Sequence, residues 1–373
     1  MAEYFNTQTE GRIRVLIPDG GHVLALQVVR CLAAAGNMDV WLLLGDNPAP
    51  GWRTRHKAGF LKAGGAPFAE EVLRAVRQTG ADVLLPVSKE TIISVAQNRE
   101  VLEKSVRLAP LADARCIETA RDKTLLPQFA ARAGIEMPRS LVFDPADVRL
   151  FDPSGLRFPV LVKPAIGTGG TGIQSCESAR ELTWLLDARK NGGRLVVQEF
   201  VRGTDVDCSV ICKRGKILAH TIQRTVMPGV GRFAAPGGVE FVHDPAVLAV
   251  VEGIMKAFSF EGVAHCDLRY DEESGGVKLI EINPRFWGSV IASQLAGVNF
   301  AALAVNMALG NPIPATEYRC RRFYSTPALF KDVFRRPQGA WSLPARLRDS
   351  DIGFRLRDPL PDLISVFRGP LGA

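Results

Sequence analysis

The sequence predicts a parallel α/β domain at the N-terminus followed by an α+β module. Up to about residue 115, short apolar runs alternate with segments of helical spacing. Beyond that point strand-like runs follow one another directly, some across tight turns. The length of 373 residues is enough for two or three lobes with their own cores. Strands that alternate with helices form parallel sheets through right-handed crossovers, whereas strands joined by short turns form hairpins.

Arg12–Ile17 reads as a buried strand, Pro18–Gly21 as a turn, and His22–Ala35 as a helix closed by Gly36. Asp39–Leu44 is a second strand, Glu70–Thr79 a helix stopped by Gly80, Ala81–Pro86 a third strand and Lys89–Glu103 the next helix. The spacing predicts a helix over Thr119–Gly134, with Gly134 as its stop. A proline-studded linker leads to a strand at Phe158–Lys163, a glycine-rich loop and a short strand at Ile173–Cys176. Ser178 can cap a helix over Ser178–Lys190, with Glu181 completing a capping box and Leu182, Leu185 and Leu186 on one face. Arg194–Phe200, Asp205–Cys212 and Ile217–Gln223 are successive strands, the last two joined by the turn Lys213–Lys216. Val263–Tyr270 and Val277–Asn283 form a second hairpin across Asp271–Gly276, and Phe300–Leu309 is a helix ended by Gly310-Asn311-Pro312.

Apolar residues at 47% and charged residues at 23% place the chain among ordinary globular proteins. No apolar run is long enough to span a bilayer, and Met1–Tyr4 lacks the features of a signal peptide, so the expectation is a cytoplasmic protein with no membrane span. Seven scattered cysteines, an odd number without a second close pair, argue for reduced thiols over a disulfide framework or zinc site. The net charge is +7, and residues 321–373 hold ten Lys/Arg against five Asp. The arginines alternate with Phe, Leu and Pro, which reads as a solvated or self-docking face and gives no nucleic-acid groove.

The chemistry is concentrated in Glu281-Ile282-Asn283-Pro284-Arg285 and Asp267. Glu281 and Asn283 share a strand face, and Asp267 falls roughly opposite Glu281 across the hairpin. Two carboxylates and an amide oxygen suit magnesium, which is commonly held by one or two carboxylates together with nucleotide phosphates. Upstream, Gly167-Thr168-Gly169-Gly170-Thr171-Gly172 fits GxGxxG but runs from strand into strand. It therefore reads as a flap over phosphates; a dinucleotide loop would open a helix, and no Lys-Ser or Lys-Thr makes it a Walker A loop. Lys163 ends the strand before the flap and offers a point charge to phosphate oxygens. Lys123 is a second candidate, with an exposed helix lysine as the plain alternative. The strand end Gln198-Glu199-Phe200-Val201 can present backbone groups to an adenine edge, and Asp205 can accept from ribose hydroxyls or simply be a solvated acid. Thr225–Glu240, rich in Gly and Pro, suits a mobile substrate loop in which Arg232 could bind a carboxylate.

In this order and at these intervals the motifs resemble the ATP-grasp superfamily over about Thr119–Pro312. The N-terminal portion is similar to the domain that precedes ATP-grasp modules in biotin carboxylase and carbamoyl-phosphate synthase. The resemblance implies that Lys123 and Lys163 contact ATP phosphates and that Gly169, Gly170, Thr171 and Gly172 close over them. Gln198, Glu199, Phe200 and Val201 would surround adenine, and Asp205 would take the ribose. Asp267, Glu281 and Asn283 would ligate two magnesium ions, with manganese as a substitute. Arg285 would stabilise the transferring phosphoryl group or hold a substrate carboxylate. The family often has Glu where this chain has Gln198. A further basic residue is sought among Lys216, His220 and Arg224, the last carried forward as a catalytic candidate beside Arg285 and Lys163.

The implied division is 1–118 as the N-terminal domain, 119–194 as the small lobe with the flap, 195–318 as the large lobe with the metal site, and 319–373 as a basic extension. The implied activity is ATP-dependent joining of a small carboxylate to an amine, amino acids among the candidates, with a homodimer as one use of the extension. Three rivals to this reading are bicarbonate activation, a nicotinamide oxidoreductase built on the strand, Gly20-Gly21 and the following helix, and a non-catalytic nucleotide-sensing or scaffold protein. A non-catalytic nucleotide sensor would be expected to have lost part of the metal set.

Overall fold

The computed structural model describes residues 11–145, 151–167, 170–189, 192–229 and 234–368. Gly169 and Arg232 lie outside the described residues. The chain divides into two compact units, one of residues 1–112, 285–317 and 351–373, the other of 113–284 and 318–350. Packing thus groups the chain differently from a consecutive division, because two later segments join the N-terminal unit.

The first unit holds a parallel sheet of β1 (Ile13–Ile17), β2 (Met38–Leu44), β3 (Lys57–Lys62), β4 (Val83–Leu84) and β5 (Arg107–Leu108), in the order β3-β2-β1-β4-β5. Val15, Leu16 and Ile17 of the central strand are wholly buried, as expected for a parallel sheet covered on both faces. The first helix is Ala25–Ala35, later than its spacing suggests, because residues 22–24 turn and His22 Nδ1 accepts the Leu24 N–H at 3.2 Å. It packs on the helices Val290–Ala296 and Phe300–Ala308. The predicted helix over 89–103 breaks at Asn98, whose amide N–H bonds the carbonyls of Ser94 and Val95.

Part of the basic extension docks on this unit. Asp358 is 1% exposed and accepts from the Thr54 hydroxyl (2.7 Å), the Arg55 N–H (2.9 Å) and Arg30 Nε (3.3 Å). Arg30, itself 2% exposed, also bonds the Asp358 carbonyl and Asp362. The self-docking reading of the tail therefore holds for this stretch.

The second unit has two antiparallel sheets. The smaller contains β6 (Ser140–Phe143), β7 (Val160–Pro164), β8 (Gln174–Cys176) and β9 (Leu195–Glu199), ordered β6-β9-β7-β8. Its core is backed by Leu182, Leu185 and Leu186 of the helix Ala179–Ala188. Ser178 caps that helix by accepting from the Glu181 N–H, but the Glu181 carboxylate takes the Glu177 N–H, one residue outside the usual capping box. The larger sheet contains β10 (Asp205–Lys213), β11 (Lys216–Met227), β12 (Gly238–Phe241), β13 (Gly262–Tyr270), β14 (Val277–Asn283) and β15 (Arg322–Tyr324). Its order is β14-β13-β10-β11-β12-β15. Parts of the 225–240 segment are thus strand, paired between β11 and β12.

One predicted helix in this unit is two. Ala114–Arg121 and Leu126–Ala133 are separated by a turn in which Asp122 accepts from the N–H and hydroxyl of Thr124, each at 2.7 Å. Lys123 sits in that turn, and its N–H bonds the Ala165 carbonyl at the end of β7.

Candidate functional site

The hairpin β13–β14 sets the donors by register. Asp267 pairs directly with Glu281 and His265 with Asn283, so these four side chains share one face. The turn is fixed by Asp271, which Lys278 meets at 2.6 Å and Ser274 at 2.8 Å. Asn283 Nδ2 donates to Asp267 Oδ2 at 3.4 Å. The donor set is all oxygen and lies together on one face, which fits a hard divalent cation.

Opposite this hairpin edge, a cleft is lined by Lys123, Lys163, Pro164, Gly167, Gly170, Thr171, Ile173 and Glu281. The interrupted helix matters here, because the turn brings Lys123 Nζ to 3.3 Å from Glu281 Oε2 and 3.5 Å from the Gly167 carbonyl. Gly170 and Gly172 both have φ near +77° (76° and 78°), a conformation that favours glycine, so the flap's bend depends on them. Lys163 is buried, and burial lowers its pKa to about 8; Glu281 and Asp267 oppose that shift, and Lys123 reinforces it.

Gln198 holds Lys163. Its Oε1 accepts from Lys163 Nζ at 2.6 Å and its Nε2 donates to Ser140 Oγ at 3.0 Å. Both polar ends of this side chain are engaged within the small sheet. Glu199 accepts from the Arg157 N–H at 2.9 Å and lies 3.4 Å from the Arg157 guanidinium. The Phe200 N–H bonds the Pro159 carbonyl, Arg269 stacks over the Phe200 ring at 5.1 Å, and Val201 is buried. Asp205 pairs with Arg269, which also donates to the Gly203 carbonyl. Gly203 is needed there: a Cβ would lie 1.9 Å from the Tyr270 carbonyl oxygen.

Arg224 and His220 are not brought to the acid face. Arg224 pairs with Val206 of β10, one position out of phase with Asp207, so it lies on the other face of the sheet. There it bonds Asp244 at 2.6 Å, which also accepts from Tyr270 Oη. His220, four residues earlier, shares that face and packs edge-on to Tyr318. Arg285 belongs to the first unit, where it donates to the Phe286 carbonyl and its charge opposes protonation of His22, whose pKa is lowered chiefly by burial.

Four residues that sequence reasoning passed over join the acid face: Asp207, Ser209, Gln223 and His265. Asp207 stands opposite both Asp267 and Gln223, and Ser209 stands opposite His265. Gln223 Nε2 donates to Asp207 at 3.0 Å. The His265 ring lies 2.8 Å from Ser209 Oγ through Nδ1 and 3.4 Å from Asp267 through Nε2. Asp207, His265 and Asp267 offer ligand atoms within 4.8 Å of one another. Burial raises the Asp207 pKa against the opposing bond from Gln223. The signal available was the two-residue spacing from Asp205, which puts Asp207 on the same face.

Residues 192–325 match the family model described as ATP-grasp in the biosynthetic pathway with Ter operon, and residues 120–229 match the RimK-like ATP-grasp domain. The chain is similar to the carbamoyl phosphate synthase large chain of Clostridium beijerinckii, at 25% identity over 264 residues, which cover 67% of this chain and 24% of that protein. It thus spans about a quarter of the length of that curated relative. Among solved structures, it resembles the biotin carboxylase domain dimer of 2-oxoglutarate carboxylase from Hydrogenobacter thermophilus, in complex with MgADP, ADP and bicarbonate. That match has 17% identity and a TM-score of 0.64, and covers 84% of this chain and 73% of the other. It also resembles an L-amino acid ligase from Bacillus licheniformis, with 18% identity, a TM-score of 0.58, and coverage of 81% and 75%.

Proposed function

We propose that this chain, an ATP-grasp superfamily enzyme, joins a small carboxylic acid to an amine through an acyl phosphate, releasing ADP and phosphate. The observation that supports this most is the shared cleft of Lys123, Lys163, the flap and Glu281, beside Asp267 and Asn283. In the proposed reaction a carboxylate oxygen attacks the γ-phosphorus and the bond to the ADP oxygen breaks. The amine nitrogen then attacks the acyl carbon, phosphate leaves with the C–O electron pair, and the nitrogen loses a proton. Asp267, Glu281 and Asn283 would hold magnesium, which neutralises phosphate charge; manganese is the expected substitute. Lys163 and Lys123 reduce the repulsion between the anionic nucleophile and the triphosphate. Residues 170–172 of the flap exclude water that would hydrolyse the acyl phosphate. The backbone of Glu199–Val201 is assigned to adenine, Asp205 to ribose, and Arg285 to the phosphoryl group or substrate carboxylate. Arg224 is not assigned to the triphosphate, because it faces Asp244.

A screen for ADP formation across pairs of amino acids and small carboxylates, with magnesium, tests this. ADP formation that requires both an organic acid and an amine is the expected result. Turnover with bicarbonate and no organic acid favours the second reading, bicarbonate activation, which is suggested by the bicarbonate in the biotin carboxylase relative. Hydride transfer from a nicotinamide without ATP use would overturn both. The dimeric state of that relative also supports a homodimer here, to be checked by sedimentation.

With a neutral amide at 198, the Lys163 ammonium has no directly bonded counter-charge among the described residues. Since the Lys163 pKa lies near 8, below the ordinary lysine value, ATP affinity is expected to fall as pH rises through about 8 in the free enzyme. Gln198→Glu should pair with Lys163, raise its pKa, and move that fall to higher pH. Gln198→Ala should raise the KM for ATP about tenfold or more, the usual scale for a hydrogen bond to a charged group. Nucleotide titrations from pH 6 to 10, without metal (roughly the span bracketing the lysine range), read the shift. An unchanged pH dependence in Gln198→Glu would remove Gln198 from this role.

A further inference from the structure

We propose that the second unit carries a docking surface for anionic lipid membranes on the helix Thr326–Arg335 and the turn that follows. The helix is anchored by one side, where Leu329 is fully buried against Met227 and Tyr324. Another side presents Phe330 and Phe334, one helical turn apart and 42% and 85% exposed. Trp341, in the turn Pro337–Ser342, is 94% exposed. Three large rings in water on one short stretch are not explained by packing inside the unit.

Among the described residues of this helix and turn, the charge not taken up in an ion pair is of one sign. Lys331, Arg335 and Arg336 are exposed and have no ion-pair partner among the described residues. The nearby carboxylate in the helix, Asp332, is taken by Arg346 at 2.9 Å. Apolar rings bordered by unneutralised cations suit a bilayer interface, where rings enter the headgroup boundary and cations meet anionic lipid. A second copy of this chain is a poor occupant, since a two-fold contact would set the same cations against each other. Among the described residues no single helix is long and apolar enough to cross a membrane, so the proposed attachment is peripheral.

Co-sedimentation of the full chain with vesicles tests the surface. Binding to mixed phosphatidylglycerol–phosphatidylcholine vesicles, weakening with salt and absent on phosphatidylcholine alone, is the expected result. Lys331→Glu with Arg335→Glu and Arg336→Glu should weaken it about a hundredfold or more, since each cation near an anionic surface contributes about fivefold. Phe334→Ala with Trp341→Ala should weaken it about tenfold. All these side chains are exposed, so both variants should melt with the parent, and a folding loss would show there. Trp341→Phe keeps an aromatic ring and should bind like the parent. Three outcomes overturn the proposal: no sedimentation at low salt, equal binding to neutral vesicles, or tighter binding to a single-stranded oligonucleotide or an acidic protein than to anionic vesicles.

Discussion

Glu281→Ala and Asn283→Ala should each lower ATP turnover by roughly a hundred- to a thousandfold or more, the scale seen when one charge-stabilising group is removed from an active site. Glu281 pairs in register with Asp267, lines the cleft beside Lys163 and meets Lys123 at 3.3 Å. Its loss would remove a proposed metal donor and leave Lys123 without its counter-charge. Glu281 and Asn283 are both partly exposed, so neither substitution opens a cavity, and the melting temperature should stay near the parent value. Steady-state ADP formation with and without added magnesium is the measurement. Near-normal turnover in both variants would reject the metal assignment, whatever the substrates prove to be.

Asp358→Ala should destabilise the first unit by about 3–5 kcal/mol, the usual cost of stripping one partner from a buried ion pair. The carboxylate is held by Thr54, the Arg55 N–H and Arg30, and its removal leaves the Arg30 guanidinium buried with only part of its hydrogen bonding. The loss comes from desolvation more than from the attraction itself. Arg30→Leu combined with Asp358→Leu should therefore recover much of it, because an apolar pair of similar volume often replaces a buried ion pair at little cost. Equilibrium denaturant unfolding of the single and double variants measures both terms. A loss below about 1 kcal/mol in Asp358→Ala, the range of exposed pairs, would mean that the tail does not dock in solution.

How far the site was legible follows from how far apart its parts lie in sequence. Asp267 and Glu281 belong to a hairpin with a short turn, so their mutual position can be read by counting residues. The helix stops at Gly36, Gly80 and Gly134 were legible for the same reason, since each depends on one residue in the left-handed region. Lys123 was read as helical because the 119–134 pattern is continuous; the Asp122–Thr124 turn, a local side-chain competition with the helix, breaks it. The alternation along β11 put His220 and Arg224 on one face but did not say which face. Pairing with β10 decides that, and it turns Gln223 toward the acids and Arg224 toward Asp244.

Several strands, the two antiparallel hairpins, the strand–glycine loop–strand order and the row of oxygen donors were legible in the chain alone, because they arise from periodicity and turn chemistry among near neighbours. Tertiary structure alone decided that Gln198 grips Lys163 from 35 residues away, that Asp207 and His265 join the acid face, and that Asp358 closes on Arg30 across 328 residues. Such contacts are set by sheet register and by the need to pair buried charge, and local spacing alone fixes neither.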